Sequence, residues 1–349
     1  MKKYFIVIAI FFSLFATAQD TTILKNSNSE KKPVKIFESE RLINANTTEV
    51  IRKGKMDFKV THNFDDIAGK NGGINRYFFG LDNSTDIRIG FHVGLTDRLT
   101  ISAARAKGGG DRSKTTVSQL YELALKYQLM RQLENDPTHP FSFTLFANNV
   151  ISSMSSAYTP DSNYSVIPHV VVDTFLNQPY TFKNFGNRMS QVLQAIIAKK
   201  VGRTSLLLNF TLVHQGYVPL HDEKNIFAIG GAIRLPLGRR INLLVDYFHS
   251  FRSQSSKNYF KSTDFTFNPP NDIDKNNAAF KFYDPLGVGF EIITAGHVFH
   301  LNFTNATQIL ENRLIPYTNR TWSKGQFRWG FTISRTFVLW RPKNNSASW

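Results

Sequence analysis

The sequence has no cysteine in 349 residues. It therefore has no disulfide framework, no cysteinyl zinc or iron–sulfur site and no thiol catalysis. Acidic residues are also few, because 26 Asp and Glu stand against 42 Lys and Arg, and the formal net charge is +16. Disorder is disfavoured, since aromatic residues make up 13% of the chain. Composition does not decide between one large domain and two ordinary ones.

Long apolar runs are missing beyond the start of the chain. There, Lys2 and Lys3 precede the apolar run Ile6–Phe15, and the small-residue pattern Ala16-Thr17-Ala18 follows. This order predicts a secretory signal peptide over residues 1–18, cleaved after Ala18, and hence export from the cytoplasm. A membrane anchor is the alternative interpretation, but the run is too short to span a bilayer.

The pattern that recurs along the rest of the chain has a period of two. In Ile241–Tyr247 the odd-numbered positions are apolar, whereas Asn242 and Asp246 are polar, and Phe327–Ser334 alternates in the same way. Such alternation predicts strands with one apolar and one polar face. Twelve segments follow it, at approximately 55–64, 85–94, 98–106, 117–130, 140–150, 187–200, 204–214, 224–235, 240–252, 281–293, 297–305 and 325–340.

The connections between these segments alternate between short and long. Short ones include Leu95–Asp97, Val201–Arg203 and Thr294–Gly296, and long ones include 151–186 and 253–280. Tight turns at one end and long loops at the other are typical of outer-membrane barrels. Closing the sheet into a barrel also gives every backbone polar group a hydrogen-bond partner, which the lipid environment requires. The sequence therefore predicts an all-β fold, a single-chain antiparallel transmembrane β-barrel of about 12 strands with long outer loops and short periplasmic turns. A soluble secreted β-sandwich also alternates and is the alternative.

The predicted barrel domain spans residues 55–349, and an even strand count places both of its ends on the periplasmic side. Residues 19–54 precede it as an N-terminal segment. They are polar and charged at first and then carry Ile36-Phe37 and Leu42-Ile43. This segment is either periplasmic or folded into the lumen, and the sequence does not decide between the two.

Several stretches of the sequence resemble one known family. They are Phe37–Asn44, the Lys55–Phe64 strand, Phe79–Asp82, Asp86–Gly90 and Gly94–Leu99. Together, over about residues 36–130, they resemble an uncharacterised Bacteroidota outer-membrane β-barrel family that carries a domain-of-unknown-function label. The sequence departs from that family at His62-Asn63-Phe64, where a basic residue is expected after the histidine. The resemblance implies an outer-membrane barrel, no established activity and no catalytic residues.

The register of the predicted strands assigns a set of polar side chains to the face that points into the lumen. The candidate lumen-lining residues are Asp57, Lys59, Arg88, His92, Glu122, Lys126, Arg234, Asp246, Glu291, His300 and Arg328. Mixed charges of this kind either line a wet pore or form a salt-bridge network that plugs the barrel. About 12 strands lie between the filled barrels of eight strands and the open barrels of 16–18 strands, so both interpretations stay open.

The sequence carries no local pattern for covalent chemistry. Barrel hydrolases place a Ser two residues after a His, or an Asp two residues before one, and no His here has either neighbour. His297 and His300 are the closest His pair, but residues three apart on a strand face opposite sides and do not suit a shared ion. We therefore predict no catalytic residues, no metal site and no cofactors.

Three functions fit these observations to different degrees. The first is a pore or a solute-binding transport channel without covalent chemistry. The second is a structural or adaptor barrel with a plugged lumen, which binds a partner through its loops or N-terminal segment. The third, which is disfavoured, is an outer-membrane hydrolase. The expected location is the cell outer membrane, and the expected partners are outer-membrane lipid and lipopolysaccharide, the barrel-assembly machinery and small solutes. Nucleic acid is not expected, because the basic residues are scattered along an exported chain.

Overall fold

The computed structural model describes residues 31–68, 72–74, 78–108, 119–153, 185–216, 218, 222–261 and 281–341. The signal peptide predicted for residues 1–18 lies outside these ranges, as do residues 19–30 of the N-terminal segment. Much of the long connections 151–186 and 253–280 lies outside them as well.

Twelve antiparallel strands close into one barrel, because β1 pairs with β12 as well as with β2. The strands are β1 Lys55–Asp66, β2 Ser84–Gly94, β3 Leu99–Ala106, β4 Leu120–Met130, β5 Ser142–Ser152, β6 Met189–Val201, β7 Thr204–Gln215, β8 Asn225–Pro236, β9 Ile241–Phe251, β10 Leu286–Ile293, β11 His297–Thr304 and β12 Arg328–Val338. Every strand pairs with its neighbours in sequence. The prediction of an all-β, antiparallel barrel of twelve strands is confirmed.

Side chains alternate between the outside and the inside of the barrel wall. On β4, Leu123 and Leu125 are 61% and 54% exposed on the outside, whereas Glu122 and Lys126 are buried on the inside. The apolar face therefore points away from the lumen, as a lipid-facing surface requires. The same alternation places His297 outside and His300 inside, so the two rings do not share a site.

The barrel has two unlike ends. Tight turns at 95–98, 202–203, 237–240 and 294–296 mark the short-turn end, and the long connections mark the long-loop end. Two helices lie in long connections, α1 at Gln254–Lys261 and α2 at Glu311–Tyr317, and one-turn 3₁₀ helices form at Gly186–Arg188 and Trp322–Lys324. Within the described ranges, no helix is both long enough and apolar enough to cross a membrane.

Candidate functional site

The structure places all the predicted lumen-lining residues on the inner face of the wall, where they are buried. Most of these charges form pairs. Arg88 Nη2 lies 2.7 Å from Glu122 Oε2, and Arg234 Nε lies 2.6 Å from Glu291 Oε1. His300 Nε2 lies 3.5 Å from the other oxygen of Glu291. Such pairing is needed because an isolated charge in a packed interior is costly. The other inner-face residues of the set are Asp57, Lys59, His92, Lys126, Asp246 and Arg328.

The lumen holds the N-terminal segment. Residues 36–49, which we call the lumenal hairpin, run inward from the short-turn end, reverse at Leu42–Ala45 and run back. Leu42 N donates to Ala45 O at 2.8 Å, and Thr47 N donates to Glu40 O at 2.9 Å. Nearly all of the hairpin is buried. Of the N-terminal segment 19–54, residues 36–49 therefore lie in the lumen, whereas the described residues on either side of them lie at the short-turn end.

The tip of the lumenal hairpin is bound by one carboxylate of the wall. Asp246 Oδ2 accepts the main-chain N–H groups of Ile43, Asn44 and Ala45 at 3.1, 2.6 and 3.0 Å. Asn44 Nδ2 also donates to Asp246 Oδ1, at 2.9 Å. Successive N–H groups that converge on one anion form a concave anion-binding site. The four hydrogen bonds also satisfy the carboxylate, which is 1% exposed.

Two glycines of β10 let the tip approach the wall closely. A Cβ atom on Gly287 would lie 2.6 Å from Asp246 Oδ1 and 2.8 Å from Asn44 Nδ2. One on Gly289 would lie 3.1 Å from Ile43 Cδ1. Glycine at 287 thus leaves room for both the anchoring carboxylate and the bound tip.

One side of the hairpin carries Glu40, which faces basic groups of β1, β2 and β4. His92 Nδ1 makes an ion-pair contact with Glu40 Oε2 at 2.9 Å, and Lys126 Nζ donates to Glu40 O at 2.7 Å. Burial opposes ionisation of Glu40, but His92, Lys126 and Lys59 outweigh it and lower the pKa to about 2. Glu40 is therefore an anion over most of the pH range.

The base of the hairpin is fastened at the short-turn end. Glu49 Oε1 accepts the N–H groups of Ile36 and Phe37, both at 3.1 Å. Burial raises the pKa of Glu49, although these two hydrogen bonds oppose the rise. On the wall, Gln128 Nε2 and Thr144 Oγ1 both donate to Thr48 O at 2.9 Å. The two arms of the hairpin are thus joined to each other and to the wall.

Helix α2 enters the lumen from the long-loop end and meets the hairpin. Arg41 Nη1 donates to Glu311 Oε1 at 2.6 Å, and Asn46 Nδ2 donates to the same oxygen at 3.0 Å. Burial raises the pKa of Glu311, and Arg41 opposes the rise. Asn46 also donates to Gln194 of the wall at 2.8 Å. Glu311 therefore links the two segments that fill the barrel.

Part of the inner wall is apolar. Val192, Ile196, Leu207, Leu244 and Phe248 point inward and are fully buried. They belong to one hydrophobic cluster with residues of the lumenal hairpin and of α2. The cluster members from these two segments are Ile36, Phe37, Leu42, Ile43, Ala45, Leu314 and Ile315. Apolar burial therefore adds to the polar contacts that hold the hairpin.

One small cavity lies between the hairpin and the wall. Its volume is about 20 Å³, the size of one water molecule. Its lining is Glu40, Arg41, Asn46, Lys59, Arg88, His92, Ser102, Glu122, Lys126 and Phe146. Among the described residues, no group of three or more His, Asp or Glu side chains is arranged to hold a metal ion.

The candidate residues predicted from the sequence do not include two parts of this site. These parts are the lumenal hairpin with α2, and the apolar patch of the inner wall. The apolar patch could have been suspected from Leu244, because this residue lies between Asn242 and Asp246 on the otherwise polar face of β9. Ile36-Phe37 and Leu42-Ile43 are apolar pairs in an otherwise polar segment, but the sequence does not show which wall residues they meet.

The sequence matches the family model described as "Membrane bound beta barrel domain (DUF5777)" over residues 37–337. The match begins within the lumenal hairpin and ends in β12, so it includes both the wall and what fills it. The family description confirms that the barrel is membrane-bound, and it agrees with the expected outer-membrane location. A search of curated proteins found no relative that matches the sequence.

Solved structures similar to this chain are outer-membrane proteins of low sequence identity. The porin NanC is 7% identical, with 81% of this chain and 98% of that chain covered and a TM-score of 0.40. An outer membrane channel from Pseudomonas putida F1 is 13% identical, with coverages of 83% and 98% and a TM-score of 0.41. LpxR from Salmonella typhimurium is 8% identical, with coverages of 81% and 99% and a TM-score of 0.32. Likenesses this remote carry no information about the function of this chain.

Proposed function

The chain belongs to this membrane-bound β-barrel family, and on that premise we propose that it is an outer-membrane channel for small solutes that the lumenal hairpin closes at rest. The channel works without covalent chemistry. From the resemblance of residues 36–130 we also infer that the protein comes from a member of the Bacteroidota. Opening requires the hairpin to leave the wall.

The observation that carries the proposal is where the hairpin enters and leaves the lumen. Val34 N donates to Gln132 O at 2.8 Å on the way in, and Ile51 N donates to Thr100 Oγ1 at 2.8 Å on the way out. Gln132 and Thr100 both lie at the short-turn end. A segment whose two ends lie at one mouth of a barrel can withdraw through that mouth without threading the chain.

The wall that withdrawal would uncover suits a wet passage. Over much of the circumference its inner face is polar, with charged pairs such as Arg88–Glu122 and Arg234–Glu291 already joined within the wall. Both members of each pair belong to the wall, so these two pairs remain joined when the hairpin leaves. A barrel of about 12 strands is wider than the eight-stranded barrels that side chains alone can fill.

A second function, the plugged structural or adaptor barrel, is favoured by a different observation. The hairpin buries Ile36, Phe37 and Leu42 in an apolar cluster, and withdrawal would expose that surface to water. Helix α2 also occupies the lumen from the opposite end. If these contacts hold permanently, the lumen stays closed and the barrel serves only as a membrane-bound scaffold.

Solute flux into liposomes separates the two functions. We expect the wild-type protein to admit small sugars slowly, and the Asp246→Asn variant to admit them faster, because the neutral amide binds the tip N–H groups less strongly. Glu291→Gln is the matched control, since Glu291 contacts wall residues and leaves the hairpin tip untouched. Equal, negligible flux through all three folded proteins would favour the scaffold.

A further inference from the structure

We propose that the outer rim at the short-turn end binds the phosphate headgroups of anionic phospholipids in the leaflet that it faces. We call this surface the arginine rim. It consists of Arg98, Arg203, Arg239, Arg240, Arg335 and Arg341, all of which are exposed. The proposal rests on the membrane-bound barrel and its topology, and it is independent of whether the lumen opens.

The strand order divides these arginines into two groups along the rim. Arg203 lies in the turn between β6 and β7, and Arg239 and Arg240 lie in the turn between β8 and β9. Because β7 pairs with β8, the two turns are neighbours, about 10 Å apart at two strand spacings. The other three arginines lie in the β2–β3 turn and at the end of β12, on either side of β1.

Exposed apolar side chains stand directly beside the arginines. Val201 is 45% exposed, Leu237 is 60% exposed and Ile241 is 46% exposed. Each lies within two residues of Arg203, Arg239 or Arg240 in the sequence. A long basic side chain next to an exposed apolar one fits the boundary of a bilayer, where the apolar group meets acyl chains and the cation reaches the headgroups.

The arginines of the two adjacent turns lack counter-charges from the protein. No acidic side chain in the part of the chain that the structure describes forms an ion pair with Arg203, Arg239 or Arg240. Asp136 is an acid at this end, but Lys31 Nζ lies 3.1 Å from its Oδ1. The basic charge, expected from the sequence to be scattered, is thus locally concentrated in these two turns.

At the long-loop end, by contrast, some of the described cations have acidic partners. Arg252 pairs with Asp222, and His249 Nδ1 lies 2.8 Å from Asp284 Oδ2. The phosphate groups that suit the arginine rim are therefore those of the leaflet at the short-turn end.

Arginine binds phosphate well, because its planar guanidinium donates two parallel hydrogen bonds to the oxygens. An anionic leaflet attracts a basic segment of this kind through its surface potential as well.

The test compares the full-length folded protein in two kinds of vesicle, one of phosphatidylcholine alone and one with phosphatidylglycerol mixed in. The unfolding temperature is read from the heat-dependent change in gel mobility. We expect phosphatidylglycerol to raise it for the wild type, and R203Q/R239Q/R240Q to lose most of this rise. That variant should match the wild type in phosphatidylcholine, because its three side chains are exposed and unpaired. R203K/R239K/R240K should keep part of the rise.

R105Q/K224Q/K281Q is the matched control, because it removes three exposed basic side chains at the long-loop end. It should keep the whole rise. Inorganic phosphate added to phosphatidylcholine vesicles should give no rise, since free phosphate lacks the acyl chains that seat on the apolar residues. The proposal is overturned if the rim variant keeps the full rise, if the control loses as much, or if free phosphate reproduces the effect.

Discussion

Asp246 Oδ2 accepts the main-chain N–H of Asn44 at 2.6 Å, although the two residues lie 202 positions apart in the sequence. One residue belongs to the wall strand β9 and the other to the tip of the lumenal hairpin. The bond therefore joins the segment that fills the lumen to the barrel that contains it. It also shows that the lumen is filled by a segment that the wall binds through specific hydrogen bonds.

The first prediction concerns this bond. Asp246→Asn should weaken the tip contacts by roughly 2 kcal/mol, because hydrogen bonds to a charged acceptor contribute about 1.5–3 kcal/mol. Hydrogen–deuterium exchange of the peptide that covers Ile43–Ala45 should then speed up by about tenfold or more. Glu291→Gln should leave that exchange rate near the wild-type value. Unchanged exchange in the Asp246→Asn variant would show that the carboxylate does not hold the tip.

The second prediction concerns the close approach at β10. Gly287→Ala should displace the tip, because the added methyl group would lie 2.6 Å from Asp246 Oδ1. We expect a loss of about 1–3 kcal/mol, the usual effect of overpacking, measured as a lower unfolding temperature. Gly231→Ala is the control, since its Cβ would meet only Leu207 O, at 3.8 Å. Equal stability of the two variants would argue against tight packing at Gly287.

The third prediction concerns pH. The pKa of Glu40 is lowered to about 2 from its usual 4.5, so its stabilising contribution is complete above pH 4.5 and is lost as pH falls toward 2. The hairpin should therefore stay in the lumen at mildly acidic pH and loosen near pH 2. Nitroxide labels at Lys35→Cys and Arg203→Cys, both exposed positions, would report the distance between hairpin base and wall.

Two variants check that assignment. Glu40→Gln should weaken the hairpin at neutral pH and remove the change near pH 2. Glu49→Gln should keep that change, because the pKa of Glu49 is shifted upward and its contribution has the opposite sign. A hairpin that leaves the wall at pH 5 in the wild type would disagree with a lowered Glu40 pKa.

The fourth prediction concerns the outer face. Leu125→Arg should impair assembly, because an arginine near the middle of the membrane costs roughly 2–4 kcal/mol on the lipid face of a barrel. Leu237→Arg is a matched control, since Leu237 is 60% exposed and Leu125 is 54% exposed. Leu237 lies at the rim, where the same substitution costs only about 0–1 kcal/mol. Recovery of heat-modifiable barrel is the measurement, and equal recovery would refute the assigned depth of Leu125.

The wall could be predicted from the sequence because its determinants are local. Alternation with period two identifies both the strand and its inward face, as in Ile241–Tyr247, and all twelve predicted segments match strands. Boundaries are less certain where irregular residues flank a strand. The tenth predicted segment, 281–293, begins too early, because β10 begins at Leu286.

What fills the wall could not be predicted, because it depends on long-range contacts. The sequence shows that Ile36, Phe37, Leu42 and Ile43 are apolar. It does not show that they form one hydrophobic cluster with Leu244 inside the barrel. Nor does the spacing of Arg41 and Glu311, 270 residues apart, predict that they meet. An alternation with period two identifies which side chains of a strand face inward. It does not show whether water or another segment of the protein covers them.

The most direct test of a lumen gated by the hairpin is a reversible cross-link at the tip. Asn44 Nδ2 lies 3.3 Å from Thr304 Oγ1, so Asn44→Cys with Thr304→Cys places two short side chains close enough to form a disulfide, and the chain has no other cysteine. Single-channel conductance of this variant is recorded in a planar bilayer before and after a reductant is added. The account predicts silence while the disulfide is intact and openings after reduction. Openings through the oxidised protein, or lasting silence of the reduced and folded barrel, would contradict it.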